Sequence, residues 1–258
     1  MNRLKNIKSL LFVDEIKFSK NNNDIDDSFY FIGVLVDINS VFSVQEKFES
    51  LTSDLQKGFH ATRAYRTKNP NSELMNNLTE LIIRNKLKCL VFKYDKNKFY
   101  DSTKTFGSNS NFQEKKKFKN HEFQALFYFM QTLEHYLHSS LDFVETPLRI
   151  YFDRGIYGVK QHDEFEFDSK KIETITFCSK KKIDLLALPD HVGYLFAKFR
   201  LKYNSINDSK NELINSDLFN NCILNFKAIY SKELFKFIDI DVWLDNLKHD
   251  ISAETIKK

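Results

Sequence analysis

Glycine and proline are scarce in this chain, with six Gly and three Pro among 258 residues. A turn-dense β-sandwich or a long flexible linker needs many more, so neither is expected. Cysteine is scarce too: Cys89, Cys178 and Cys222 lie far apart and form no CxxC pair. That pattern argues against a structural zinc site, and an odd, sparse count fits a reducing cytoplasm. Long hydrophobic runs are missing, since no stretch approaches the roughly 20 apolar residues of a membrane helix. The basic start, Met1 to Lys8, leads into an apolar segment that ends at Asp14-Glu15, which is too short for a signal peptide. A cytoplasmic protein without a membrane partner is therefore expected. Charge of one sign is not in large excess: 39 basic and 35 acidic groups leave +4, so total charge does not by itself indicate nucleic acid. Nor does the chain contain G-x-x-x-x-G-K-[ST], G-x-G-x-x-G, G-x-S-x-G or H-E-x-x-H, the signatures of phosphate loops, dinucleotide folds, hydrolase elbows and zinc proteases.

What is present is an ordinary globular composition, 42% hydrophobic and 29% charged, long enough to bury a substantial core. Ser9 to Val13 reads as a buried strand closed by Asp14-Glu15, and Ser28 to Asp37 as a second strand that forms an antiparallel hairpin with it. Helical spacing predicts helices over Ser43 to Lys57, with Gly58 as C-cap, and over Ser72 to Lys86, with Ser72 as cap. Leu87 to Tyr94 is a third strand. Residues 95 to 120 are polar and loop-like, and a long amphipathic helix follows from His121 to His138. Leu148 to Phe152 and Ile172 to Cys178 are further strands, and a helix begins near Leu185. From Tyr203 onward the expectation is an Asn/Ser-rich connector and two or three helices with Trp243 in their core. The predicted architecture is α/β, with a mixed sheet, helices on both faces and a C-terminal helical extension. The predicted organisation is a domain over 1–202 and a helical segment, 203–258, packed on it.

Three acids stand apart from the rest. Asp14 and Asp153 each follow directly on a strand run, and Asp190 sits in the first turns of a mostly apolar helix, where its neighbours at helical spacing, Gly193 and Ala197, are small. A single Asp at a strand end is ordinarily a turn former or helix cap. In α/β sheets, however, sites collect at strand C-termini. Neighbouring carboxylates there repel one another, and a bound cation is the usual remedy. Oxygen ligands alone select hard ions, Mg²⁺ or Mn²⁺.

Four segments occur in order and widely spaced: Phe12-Val13-Asp14-Glu15, Phe59-His60-Ala61, Tyr151-Phe152-Asp153-Arg154, and Leu186-Ala187-Leu188-Pro189-Asp190. Together, over roughly residues 8 to 200, they resemble the signature segments of domain-of-unknown-function family 3800, whose members are similar to ribonuclease H-like nucleases. The sequence departs from that pattern at Ile16-Lys17, where the family has Ser-Gly, and at Ala187 and Pro189, where it has Gln and Ala. The resemblance implies a ribonuclease H-like fold with Asp14, Asp153 and Asp190 as ligands of Mg²⁺ or Mn²⁺, and Glu15 and His60 as site neighbours. It further implies metal-assisted phosphodiester hydrolysis of DNA or RNA, and a setting in bacterial defence or mobile elements, with room for a protein partner in a larger assembly. An inactive nucleic-acid-binding or assembly subunit of the same fold is the alternative. No fourth acid is identifiable, although Glu122 and Glu134 lie on the long helix. Arg63, Arg66 and Arg154 adjoin the site motifs and suit bidentate phosphate contact. The lysine runs at 115–119, 170–171 and 180–182 read chiefly as solvated loops.

Overall fold

The computed structural model describes residues 7–17, 28–55, 58–65, 71–95, 121–139, 144–153, 163–166, 169–204 and 216–239. Its strands are β1 (Ser9–Lys17), β2 (Ser28–Asp37), β3 (Lys88–Asp95), β4 (Leu148–Asp153), β5 (Asp163–Glu166), β6 (Ile172–Cys178) and β7 (Phe235–Asp239). The helices are α1 (Val41–Thr52), α2 (Ala61–Tyr65), α3 (Ser72–Arg84), α4 (His121–Ser139), α5 (Ala187–Asn204) and α6 (Asp217–Ser231), with a short 3-10 turn over Asp184–Leu186 ahead of α5. The strands form one sheet in the order β5-β6-β4-β1-β2-β3-β7. Strands β1, β4 and β6 are mutually parallel, whereas β2 is antiparallel to both β1 and β3. The chain is thus α/β with a mixed sheet.

Strand alternation divides the interior into two cores, because successive side chains leave opposite faces of a strand. Phe12, Ile32, Val34 and Val91 face a core shared with α1, α3, α5 and α6. Leu11, Val13, Phe31 and Phe92 face a second core closed by Phe129, Leu133 and Tyr136 of α4. Helices therefore cover both faces of the sheet. At Gly33 an added Cβ would lie 2.8 Å from Leu11 Cδ1, so the absent side chain lets β1 and β2 pack at that point.

The predicted hairpin forms, with Leu11 opposite Leu35 and Val13 opposite Gly33. Several boundaries differ from the sequence reading. Helix α1 ends at Thr52, and Gly58, at φ +72°, instead closes a turn in which its N–H donates to the Leu55 carbonyl at 3.0 Å. Asn71 caps α3, its side-chain oxygen accepting from Leu74 N–H at 2.9 Å, so the cap lies one residue before Ser72. Beyond residue 203 the expected helices are represented by α6, but Phe235–Asp239 is a strand, parallel to β3. Strand β5 was not expected either. Trp243 lies outside the described residues. No helix among them is long and apolar enough to cross a membrane.

Candidate carboxylate–lysine site

Because β1, β4 and β6 run parallel, their C-terminal ends reach the same edge of the sheet. Val13 pairs with Phe152 and Asp153 with Cys178, so Asp14 and Asp153 emerge as neighbours, with Lys180 two residues beyond the end of β6. Helix α5 crosses β1 closely. An added Cβ at Gly193 would lie 3.1 Å from Ile16 and 3.3 Å from Ile32, and this close approach holds Asp190, in the first turn of α5, over the same edge. Pro189 is tolerated there because first-turn residues have no intrahelical N–H partner. The segment before α2 completes the edge: Ala61 N–H donates to Asp190 Oδ2 at 3.1 Å, and His60 Nδ1 lies 3.3 Å from the same oxygen.

The ammonium of Lys180 sits at the centre. Its Nζ lies 2.7 Å from Asp14 Oδ2, 3.2 Å from Asp190 Oδ2 and 3.3 Å from Asp153 Oδ2. A protonated lysine has three N–H donors, so one is available for each carboxylate. The lysine side chain is 19% exposed and those of Asp14 and Asp190 are 13% exposed, which makes this a partly desolvated cluster rather than a solvated charge run. Burial pushes the Asp14 carboxyl up to about 6; Lys180 pulls against that rise, while Asp190 and Asp153 add to it. Burial alone would lower the lysine's own pKa. The attraction of Asp14 and Asp190, the Asp14 hydrogen bond and Asp153 outweigh it, and the ammonium is held well above the ordinary lysine range. One cation thus stays charged among three acids but does not fully offset the cost of burying Asp14.

The next residue along α5 belongs to a different polar cluster. His191 is fully buried. Its Nδ1 lies 2.7 Å from Tyr65 OH and its Nε2 3.3 Å from Thr79 Oγ1. Burial drives its pKa down to about 3, so the ring is neutral and one nitrogen accepts while the other donates. The ring ties α2 and α3 to α5, and thereby supports the backbone that carries His60 against Asp190. Only the dipeptide Asp190-His191 hinted at it in the sequence, since the partners lie 126 and 112 residues away.

No family model matches this sequence, and no curated protein or solved structure is significantly similar to it. Its chemistry has to be read from its own residues.

Of the expected site residues, Asp14, Asp153, Asp190 and His60 come together. Glu15 does not join them: alternation turns its side chain to the face of Val13, opposite Asp14. Its backbone N–H does take part, donating to Asp14 Oδ1 at 2.9 Å. Arg63 is exposed on α2, just beyond His60. Arg66, Arg154 and the 115–119 lysine run lie outside the described residues. Glu134 belongs to α4, which covers the face away from Asp14, so it does not supply a fourth acid; the Glu122 side chain is not among those described. Lys180 was missed because, in sequence, it is indistinguishable from exposed Lys181 and Lys182.

Among the described residues, no group of three or more His, Cys, Asp or Glu is arranged to hold a metal ion as it stands. The donor chemistry nevertheless fits a hard cation, for three carboxylate oxygens from three separate elements are already aimed at one positive charge. Mg²⁺ requires oxygens at about 2.0–2.1 Å, shorter than the 2.7–3.3 Å at which the three carboxylates surround the ammonium.

Proposed function

We propose that this protein is a divalent-metal-dependent nuclease with a ribonuclease H-like fold, hydrolysing phosphodiester bonds in DNA or RNA at the Asp14–Asp153–Asp190 edge. The observation that carries the reading is the convergence of three carboxylates, from β1, β4 and α5, on a single cation position at the sheet's C-terminal edge. The mixed sheet, with β2 antiparallel to both β1 and β3 and helices on both faces, adds support. So do the four ordered segments that resemble family 3800.

Asp14, Asp153 and Asp190 would hold Mg²⁺ or Mn²⁺, which supplies Lewis acidity to the phosphoryl oxygens and lowers the pKa of an attacking water. Asp190 is fixed for that role by the Ala61 N–H, which occupies one lone pair and fixes the carboxylate's angle. His60 is 47% exposed at the rim, with Nδ1 directed to Asp190. That leaves Nε2 to orient a phosphate or pass a proton to solvent. Arg63, exposed three residues further on, would contact the nucleic-acid backbone.

Lys180 favours a second reading. A lysine filling the cation position is also what a subunit that binds nucleic acid, or assembles with another protein, without cutting would carry. The deciding experiment is cleavage of labelled single- and double-stranded DNA and RNA in Mg²⁺, Mn²⁺ or EDTA, with Asp153→Ala run in parallel. Metal-dependent cutting lost in the variant supports the nuclease. Binding without cutting under every condition supports the inactive subunit, and cutting that survives the substitution rules out this site.

A further inference from the structure

A resident ammonium among three prospective metal ligands has a consequence for metal entry. Two positive charges cannot share a position about 3 Å from the same three oxygens, because their mutual repulsion in a partly desolvated site is large. The lysine can leave without disturbing the core. Its backbone lies in the turn after β6, fixed by Lys182 N–H and Ile183 N–H donating to the Ser179 carbonyl at 2.9 and 3.2 Å. Its side chain already reaches the surface. In the bound position the ammonium donates to Asp14 and lies within ion-pair distance of Asp153 and Asp190, so it is committed to the carboxylates rather than to a substrate phosphate. A released Lys180 has its donors free at the mouth of the site.

We infer that Lys180 is an internal counter-cation that competes with divalent metal for Asp14, Asp153 and Asp190, so that metal binds only as the ammonium swings out. The inference rests on the metal-site reading above and deepens it: Lys180 sets the metal concentration at which the site assembles. Without metal, the same lysine neutralises part of the carboxylate repulsion and keeps the edge ordered.

The test is Mn²⁺ binding to the full chain, followed by calorimetry, for wild type, Lys180→Met and the double variant Lys180→Met/Asp190→Asn. Methionine keeps most of the stem's volume and removes the charge. The expected result is Mn²⁺ binding at least about tenfold tighter in Lys180→Met than in wild type, and lost again in the double variant. Equal or weaker affinity in Lys180→Met overturns the competition and leaves the metal site standing. Absence of binding in both proteins overturns the competition and the metal-site reading together. A second measurement needs no substitution: acetylation of the Lys180 amine by a water-soluble active ester, read by peptide mass spectrometry with and without Mn²⁺. Displacement predicts that Lys180 labels faster in Mn²⁺ while exposed Lys181 and Lys182 are unchanged. A Lys180 rate indifferent to Mn²⁺ sinks the idea even if the methionine variant fails to fold.

Discussion

Asp190 and His191 are adjacent in α5, yet they enter two polar clusters built on opposite principles. Asp190 joins a charged group at the sheet edge, where three acids share one ammonium and the side chains remain 13–20% exposed. His191 joins a neutral group inside the core, where a fully buried ring is satisfied by two hydroxyls. Burial penalises the charged form in both places. The core cluster escapes the penalty by staying neutral. The edge cluster keeps its charges and relies on a cation that can be exchanged. The first arrangement suits a strut and the second a site.

The comparison breaks most visibly if the strut is removed. His191→Ala leaves a cavity and strands the Tyr65 and Thr79 hydroxyls, and is expected to cost about 4 kcal/mol in urea unfolding. Mn²⁺ should restore none of that loss directly at the strut. Lys180→Met in metal-free buffer leaves three acids facing one another and is expected to cost about 3 kcal/mol. Here Mn²⁺ should recover most of the loss, raising the melting temperature of this variant more than that of wild type. If both variants respond alike to Mn²⁺, the two clusters are not distinct in kind.

Acid titration sharpens the contrast at smaller amplitude. The His191 pKa is depressed from 6.5 to about 3, so its stabilising contribution is complete above 6.5 and fades as pH falls through about 3. Asp14 is raised from 3.8 to about 6, so its contribution is complete below 3.8 and fades as pH rises through about 6. The two slopes oppose each other between 3.8 and 6. Asp14→Asn removes one of them: stability near pH 7.5 should rise by up to about 2 kcal/mol, and the acid-side decline should steepen. His191→Gln should flatten that decline. Melting temperatures across pH 4–8 read both effects, and a wild-type curve unchanged by either substitution contradicts the assignment.

The smallest effect expected is at the contact that joins the clusters to the sheet. Gly193→Ala places a methyl group 3.1–3.3 Å from Ile16 and Ile32, so α5 must give by a few tenths of an ångström. The glycine-to-alanine gain in helix propensity, about 1 kcal/mol, offsets much of the strain. Stability should change by less than about 1 kcal/mol, while Mn²⁺ affinity should fall because Asp190 moves with the helix. An unchanged affinity would show that the site tolerates that displacement.

The parts of this arrangement that the sequence determined are those with a local signature. The apolar run ending in Asp153 marks a strand end, and the run ahead of Asp14 marks the stretch of β1 that pairs with β4, although β1 itself continues to Lys17. An apolar helix with Asp190 in its first turn above small residues marks a close crossing, because burial and backbone hydrogen bonding act over a few neighbouring residues. The hairpin and the mixed sheet followed from such signals, whereas the grouping of Asp14, Asp153, Asp190 and His60 was implied by the resemblance of the four ordered segments. What lacked a local signature was decided by tertiary structure alone. Glu15 adjoins Asp14 in sequence but leaves the sheet on the other face. Lys180 is one of three consecutive lysines, and only the parallel placement of β6 beside β4 brings it among the acids. Phe235–Asp239 pairs as a parallel strand with the edge of β3, and the expectation of helices beyond residue 203 passes over its apolar–polar–apolar start, Phe235-Lys236-Phe237. The His191 cluster closes over contacts more than a hundred residues apart. In each case the outcome depends on which strands and helices become neighbours, and that is settled by how the two cores fill rather than by the residues adjoining in the chain.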